Sequence, residues 1–418
     1  MRFTEENFDA TCEACAEVLR LKYPADGVLS GFFRQHPQLG RQDRALVAET
    51  VYAVLRRRRL LEFILGGGAV RQLVLAAWAV LLGANIRELE AIARRGDMEK
   101  IADAKRLAHG ELPLEVVCDL PDWLIAMLTL QYGETQLRAL AAGLLQSAPL
   151  DLRVNIVKTS RDEARARLAA DGVTVIDTPY SPYGLRVSGK PPINRHPLFV
   201  TGALEVQDEG SQLLCLLLGA RRGEMVADFC AGAGGKSLAI GMLMRSTGRL
   251  NAFDVSEKRL AKMKPRLARS GLSNVHPRRI ENEKDIRLQR LAGKLDRVLV
   301  DAPCSGLGTL RRNPDLKWRQ TAEAVAQMQV KQQSILAGAA KLVRPGGRLV
   351  YATCSLLNEE NRAVVEAFLA AHQQFSLRPA GEVLREERIP LAMGEYLELR
   401  PDLHGTDGFF AAVLERAA

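Results

Sequence analysis

The spacing of apolar positions changes twice along the chain. Over residues 1 to about 145, Ala, Leu and Val recur every three or four residues in ATCEACAEVL, DRALVAETVYAVLRRRRLLEFIL and RQLVLAAWAVLL, the repeat of helices that bury one face. This part is expected to be all-α. From about 146 to 222, short strand-like runs (LDLRVNIV, GVTVI, LRVS) surround one helical stretch, SRDEARARLAADG, and lead into the proline-rich connection SGKPPINRHPLF. A small α+β linker subdomain is expected there. From 223 onward, the apolar β-type runs MVADF, RLNAF, NVHPRRI, LDRVLV and GRLVYAT alternate with helical stretches beginning near 235, at Glu257 and near 321. That alternation predicts a doubly wound, Rossmann-like parallel sheet over 223–418, with EYLELRP and GFFAAVLE as an antiparallel pair at its edge. The chain therefore reads as multidomain: all-α (1–145), α+β (146–222) and α/β (223–418).

Composition narrows the setting. At 418 residues, 47% apolar and 26% charged, the chain has length for two or three cores. Fifty-eight Lys and Arg against 49 Asp and Glu leave +9, which favours a polyanionic partner such as nucleic acid or simply a solvated basic surface. The longest apolar run, Leu73 to Ala84, is too short to span a bilayer and reads as a buried helix. The opening MRFTEENFDA lacks the basic and apolar regions of a secretory signal. Seven scattered cysteines, an odd number, point to reduced thiols and a cytoplasmic location. Cys12 and Cys15 form a CxxC, but no second ligand pair accompanies them, so helical spacing explains them and no metal is expected. The run Arg56 to Arg59 shares its helix with Leu55, Leu60 and Leu61, and suits a solvated face or an RNA contact equally.

The first strand-to-helix junction of the α/β part reads DFCAGAGGKSLAIG, Asp228 to Gly241. Glycines at 232, 234 and 235 let backbone amides approach a ligand at a helix N-terminus, and Asp254 ends the next strand where a carboxylate can hold a ribose. A nucleotide phosphate loop fails at its first glycine, because Cys230 stands there. A dinucleotide fingerprint fails at its third, where Ser237 stands. S-adenosylmethionine (SAM) has no phosphates and suits a shorter glycine loop, with Lys236 free to meet its carboxylate. A glycine turn without a ligand is the plainer alternative.

Two later runs, VLVDAPCSGLGTLRRNPDLKW (298–318) and RLVYATCSLL (348–357), both end an apolar strand in Cys-Ser. In a parallel sheet, Asp301, Cys304, Thr353 and Cys354 should converge on the ligand crevice at the strand ends. Pro303 constrains the backbone, and Arg311, Arg312 and Lys317 are close enough in sequence to stabilise a thiolate or an RNA phosphate. Cys118 and Cys215 lie among apolar residues and read as core.

Taken together, AGAGGKS, VDAPCSGLGTLRRNPDLKW, YATCSLLNEEN and the closing TDGFF resemble the RsmB/Fmu (Sun) family of RNA cytosine-5 methyltransferases, over roughly residues 145 to 418. The helical N-terminus, especially QDRALVAETVYAVLRRRRLLEFIL, resembles more loosely the NusB-like RNA-binding domain of RsmB-type members, and DLPDWLIAML and LDLRVN with ALEVQDEGSQL resemble the family's linker subdomain. The resemblance implies a class I methyltransferase domain using SAM and an RNA substrate, small-subunit ribosomal RNA for RsmB-type relatives and large-subunit RNA or tRNA for other members; a monomer is expected. Carbon 5 of cytosine is a poor nucleophile until a thiolate adds to carbon 6. Chemistry alone lets either cysteine do this; the resemblance makes Cys354 the nucleophile and assigns Cys304 to removal of the carbon 5 proton and product release. It further implies that Cys230, Ala231, Gly232, Ala233, Gly234, Gly235 and Lys236 form the cofactor loop, that Asp254 holds the ribose, and that Asp301 lies by the methionine end of SAM and the base. The chain departs from the family pattern in having Asn282 at the acidic position near adenine and Ala233 at a common proline.

Two other classes fit less well. An amino methyltransferase would place an aromatic residue after a proline pair to stack the base, where this chain has Ala302, Pro303 and Cys304. A non-catalytic RNA-binding assembly factor would not need both cysteines, Asp301 and the glycine loop.

Overall fold

The computed structural model describes residues 3–189 and 191–418; Met1, Arg2 and Lys190 of the proline-rich connection lie outside them. Its chain forms two compact units, Met1–Ser147 with Thr309–Ala322, and Ala148–Gly308 with Glu323–Ala418. The first boundary falls where helical periodicity ends. The second unit, however, joins the α+β and α/β parts that the sequence separates at 222. The reason is the helix Glu209–Leu218, whose apolar residues Leu213, Leu214, Leu217 and Leu218 enter the core under the large sheet.

In the helical unit, Phe8, Leu46, Leu55, Leu61 and Trp78 share one core. The arginine-rich stretch is two helices, Arg41–Arg56 and Arg58–Leu65. The break has a partner: the buried Asp119 carboxylate accepts from the backbone N–H of Arg59 (3.1 Å) and Leu60 (3.2 Å), capping the second helix. Arg58 and Arg59 are spent on Glu62 and Asp122 (2.7 and 2.6 Å), and Arg56 donates to the Arg311 carbonyl at 3.2 Å. The apolar run from Leu73 is α-helical to Ala76 and then widens to a π-turn over Ala77–Leu81, where Trp78 donates to the Thr50 hydroxyl at 2.9 Å. Among the described residues no single helix is long and apolar enough to cross a membrane.

Lys317, which the sequence groups with the cysteines, belongs to this unit and is spent on partners within it. Its ammonium is 3% exposed, donates to the Arg56 carbonyl (2.9 Å) and pairs with Asp119 at 3.4 Å. Burial, only partly offset by Asp119, pushes it down to about 8.

The second unit holds two sheets. The smaller contains β1 (Leu150–Val154), β2 (Val175–Asp177), β3 (Gly184–Val187) and β4 (Leu204–Val206), in the antiparallel order β2-β3-β1-β4. The larger contains β5 (Met225–Asp228), β6 (Arg249–Asp254), β7 (Val275–Arg279), β8 (Leu295–Asp301), β9 (Val343–Thr353), β10 (Phe375–Arg378), β11 (Leu397–Leu399) and β12 (Phe409–Arg416), in the order β10-β12-β9-β8-β5-β6-β7. Strands β5 to β9 are parallel, as the alternation predicts. Both faces are covered: Val226, Leu299 and Val350 face one core, while Ala227, Val298, Val300 and Leu349 face the other.

The C-terminal strands differ from the expected edge pair. Antiparallel β12 is inserted between β9 and β10, so β10 forms the edge, and the three residues of β11 pair with the start of β12. The order reverses between β5 and β8, where successive connections run to opposite sides. Ligands of such sheets bind beyond the strand C-termini at that switch point.

Candidate active site

The loop after β5 is shaped by positions only glycine tolerates. Gly232 and Gly234 have φ of +56° and +85°, and a Cβ on Gly234 would lie 2.4 Å from the Met263 side chain. The Ala231 N–H donates to the Phe253 carbonyl of β6, and the Gly232 N–H donates to the Asp254 carboxylate, both at 2.8 Å. Cys230 precedes them half-buried, its thiol pushed up by burial.

Two carbonyls of the loop are held from outside it. Arg266 donates to Ala233 O (2.8 Å) and Arg153 of β1 to Gly235 O (2.9 Å). Glu205 of β4 binds Arg266 (2.9 Å) and Arg269 (2.6 Å) from a nearly buried position. The small sheet thus braces the glycine loop, a link invisible in sequence because its members lie up to 113 residues apart, from 153 to 266. Arg266→Ala removes one charge-assisted clamp and is expected to weaken SAM binding by roughly tenfold. Calorimetric titration checks this, and unchanged affinity would contradict it.

Lys236 reaches from the start of the following helix to Asp301 at the end of β8, Nζ to Oδ2 2.6 Å. Burial disfavours the ammonium, but the Asp301 carboxylate outweighs it and raises Lys236. Phe409, in the closing TDGFF, places its ring centroid 5.7 Å from the same ammonium.

Asp228, at the end of β5, is buried and accepts from the Ser237 hydroxyl at 2.6 Å. Burial lifts its carboxyl to about 7, against an unfolded value of ~3.9. The folded state therefore favours the neutral acid, and its stabilising contribution is lost as pH rises through about 7. Wild-type melting temperature is expected to fall between pH 5 and 8, and that of Asp228→Asn to fall less. Equal slopes in thermal melts would contradict it.

The two Cys-Ser turns meet. Parallel pairing sets Asp301 beside Ala352, so β8 and β9 end in step, and the Cys304 and Cys354 Sγ atoms lie 3.4 Å apart. Each cysteine is half-exposed while the serine after it is buried. The hydrogen bond with Cys354, then burial, then the charges of Cys354 and Glu360 push the Cys304 thiol well above its usual range. Backbone bonds tie the loops together: Gly308 N–H donates to Cys354 O, and Gly408 N–H to Gly308 O, both at 2.8 Å. This gives the TDGFF segment a structural part that its sequence did not suggest.

Asn282 follows β7, whose next residue Ile280 donates its N–H to Asp254 O at 3.1 Å. Asn282 is exposed, and its side-chain oxygen accepts from the Lys284 N–H at 2.8 Å, forming a local turn. Cys12 and Cys15 lie on the helix Glu5–Val18, and among the described residues no cluster of three His, Cys, Asp or Glu is placed to hold a metal.

A parallel sheet with a glycine loop after its first strand and an antiparallel strand inserted beside β9 defines a Rossmann-like, SAM-dependent methyltransferase. The family described as 16S rRNA methyltransferase RsmB/F matches residues 215–415, and an RsmF/B-like ferredoxin-like domain matches 120–194. The chain belongs to the RsmB/F methyltransferase family. A probable ribosomal RNA small subunit methyltransferase B of Synechocystis is 32% identical, over 94% of this chain and 95% of that one. The crystal structure of the protein PH0851 is 26% identical, with TM-score 0.79 and 99% of each chain covered. NSun6 from Pyrococcus horikoshii, solved with SFG, is similar in fold at 21% identity and TM-score 0.63, over 71% of this chain and 98% of that one.

The residues present suit SAM. Its amino-acid end carries one charge of each sign and would meet Lys236 and Asp301, a half-buried ion pair. One Asp228 carboxylate oxygen is buried without a hydrogen-bond partner beneath the glycine loop, and a Cβ on Gly232 would meet nothing within 4 Å.

Proposed function

We propose that the protein methylates carbon 5 of a cytosine in small-subunit ribosomal RNA through a covalent bond between Cys354 and carbon 6. The observation that carries this reading is the pair of half-buried cysteines whose thiols lie 3.4 Å apart at the ends of β8 and β9. SAM, when bound, supplies an electrophilic methyl group. The backbone of Cys230, Ala231, Gly232, Ala233, Gly234 and Gly235, with Lys236, Asp254 and Asp301, would hold it; Asn282 is a candidate for the adenine.

In this reading the Cys354 thiolate adds to carbon 6, and the electron pair of the 5,6 double bond moves onto carbon 5, which takes the methyl group. Cys304, as its thiolate, then takes the carbon 5 proton, and the electron pair left behind restores the double bond and expels the Cys354 thiolate. Cys304 serves this second half, beside the sulfur that must leave. Asp301, paired with Lys236, would bond cofactor and base.

RNA binding through the basic surface is expected to weaken steeply as salt rises. Filter binding that is flat between low and physiological salt would contradict a phosphate-dominated interface. Bisulfite sequencing of total RNA, with and without the protein, tests the substrate. One protected cytosine of 16S RNA is expected to become convertible when the protein is removed; an unchanged pattern in that RNA would overturn the assignment.

A further inference from the structure

Neither cysteine accounts for the buried carboxylate behind them. Glu360 is fully buried, and its carboxylate accepts the Ser305 N–H (2.8 Å), the Gln332 side-chain amide (3.0 Å) and both the Ser305 and Ser355 hydroxyls. Gln332 also donates to Pro303 O at 2.9 Å. The residues on both sides of Cys304, and the one after Cys354, are therefore tied to one acid. Four donors offset the desolvation of a buried carboxylate, a large cost to incur for packing alone.

We propose that Glu360 is a positioning residue for the two-cysteine reaction: it fixes the separation of Cys304 and Cys354 and makes the two thiols chemically unequal. The first part follows from the bridge, because the Ser305 and Ser355 hydroxyl oxygens lie 3.2 Å apart on the same Glu360 oxygen. The second follows from charge. The Cys354 hydrogen bond, burial and the Cys354 charge disfavour a thiolate at Cys304 most, Glu360 adds to them and the Gly306 N–H opposes them; the Glu360 carboxylate is bonded to the backbone N–H next to Cys304 but reaches the Cys354 turn only through the Ser355 hydroxyl. Tyr351 of β9 lies close enough to interact with both Cys304 and Glu360, and its hydroxyl is bonded to Glu360 O at 2.6 Å. Glu360 thus adds to what disfavours a thiolate at Cys304, and a thiolate formed there is the more basic for it, as removal of the carbon 5 proton requires. The repeated Cys-Ser pair has its explanation here: the serines are the handles by which one acid grips both strand ends.

The catalytic consequence rests on the proposed division of labour between the cysteines; the chemical inequality does not, and the test separates them. Glu360→Gln keeps the shape and removes the charge. In the full-length protein, initial rates of iodoacetamide alkylation are followed against pH by peptide mass spectrometry. The midpoint for Cys304 is expected to fall by about one pH unit, with SAM affinity unchanged. Ser355→Ala loosens the bridge and leaves the charge, so turnover should drop several-fold while the Cys304 midpoint stays in place. That variant also keeps the proposal testable if Glu360→Gln does not fold. An unmoved Cys304 midpoint in folded Glu360→Gln, or wild-type turnover in Ser355→Ala, would overturn it. A shifted midpoint in a protein whose wild type makes no 5-methylcytosine would sink the proposed function and leave the inequality standing.

Discussion

Cys354→Ala is expected to lose methyl transfer by about 10⁴-fold or more, roughly 5 kcal/mol of barrier, because carbon 5 is never activated. Cys304→Ala is expected to behave differently: it completes one methyl transfer and then stalls, with RNA attached through Cys354. The 3.4 Å separation is why the two phenotypes should divide so sharply. In the proposed mechanism only one sulfur at a time bonds carbon 6, and the other stands 3.4 Å from it. On a denaturing gel the Cys304 variant should give a slow, ribonuclease-sensitive band and the Cys354 variant none. The reverse pattern would assign the nucleophile to the strand β8 turn.

Gly308→Ala is expected to cost about 10²-fold in turnover, the scale of a small misplacement of reacting groups. A Cβ there would lie 2.1 Å from Gly408 O and 2.9 Å from Cys354 O, both backbone atoms that have no rotamer to escape into. Relief requires that the loops carrying Cys304, Cys354 and TDGFF separate. SAM affinity should hold, since the glycine loop is built on β5 and β6. Wild-type turnover in Gly308→Ala would show that the three loops do not need this contact.

Local rules reached part of this architecture and stopped at identifiable places. Alternating apolar runs predict β5 to β9 and the helices after β5, β6 and β8, because β5, β6, β8 and β9 are largely buried; β7 is buried only at Val275, and the short helix Ile286–Gln289 after it is not anticipated. They do not place β12, whose position between β9 and β10 depends on partners about 40 and 60 residues upstream. The helix Glu209–Leu218 shows a helical pattern only through burial on the large sheet, so residues up to 222 seemed to belong with the small one. Lys317 shows the same limit. Its sequence neighbours suggested the thiols, but its partner is Asp119, nearly 200 residues earlier. At the site, the glycine loop, Asp254, Asp301 and both cysteines were readable because each ends a predicted strand. Glu205, Arg153, Arg266 and Glu360 were not, because they act on backbone and on serines across the fold, and no spacing encodes that.

The central claim, methylation at carbon 5, is tested most directly by following the hydrogen that must leave. Small-subunit RNA labelled with tritium at carbon 5 of cytosine is incubated with the protein and unlabelled SAM, and tritium in water is compared with methyl groups incorporated. The account predicts one tritium released per methyl group in the wild type, and none with Cys354→Ala. Methyl incorporation with the tritium retained would place the methyl group elsewhere on the nucleotide and contradict the mechanism.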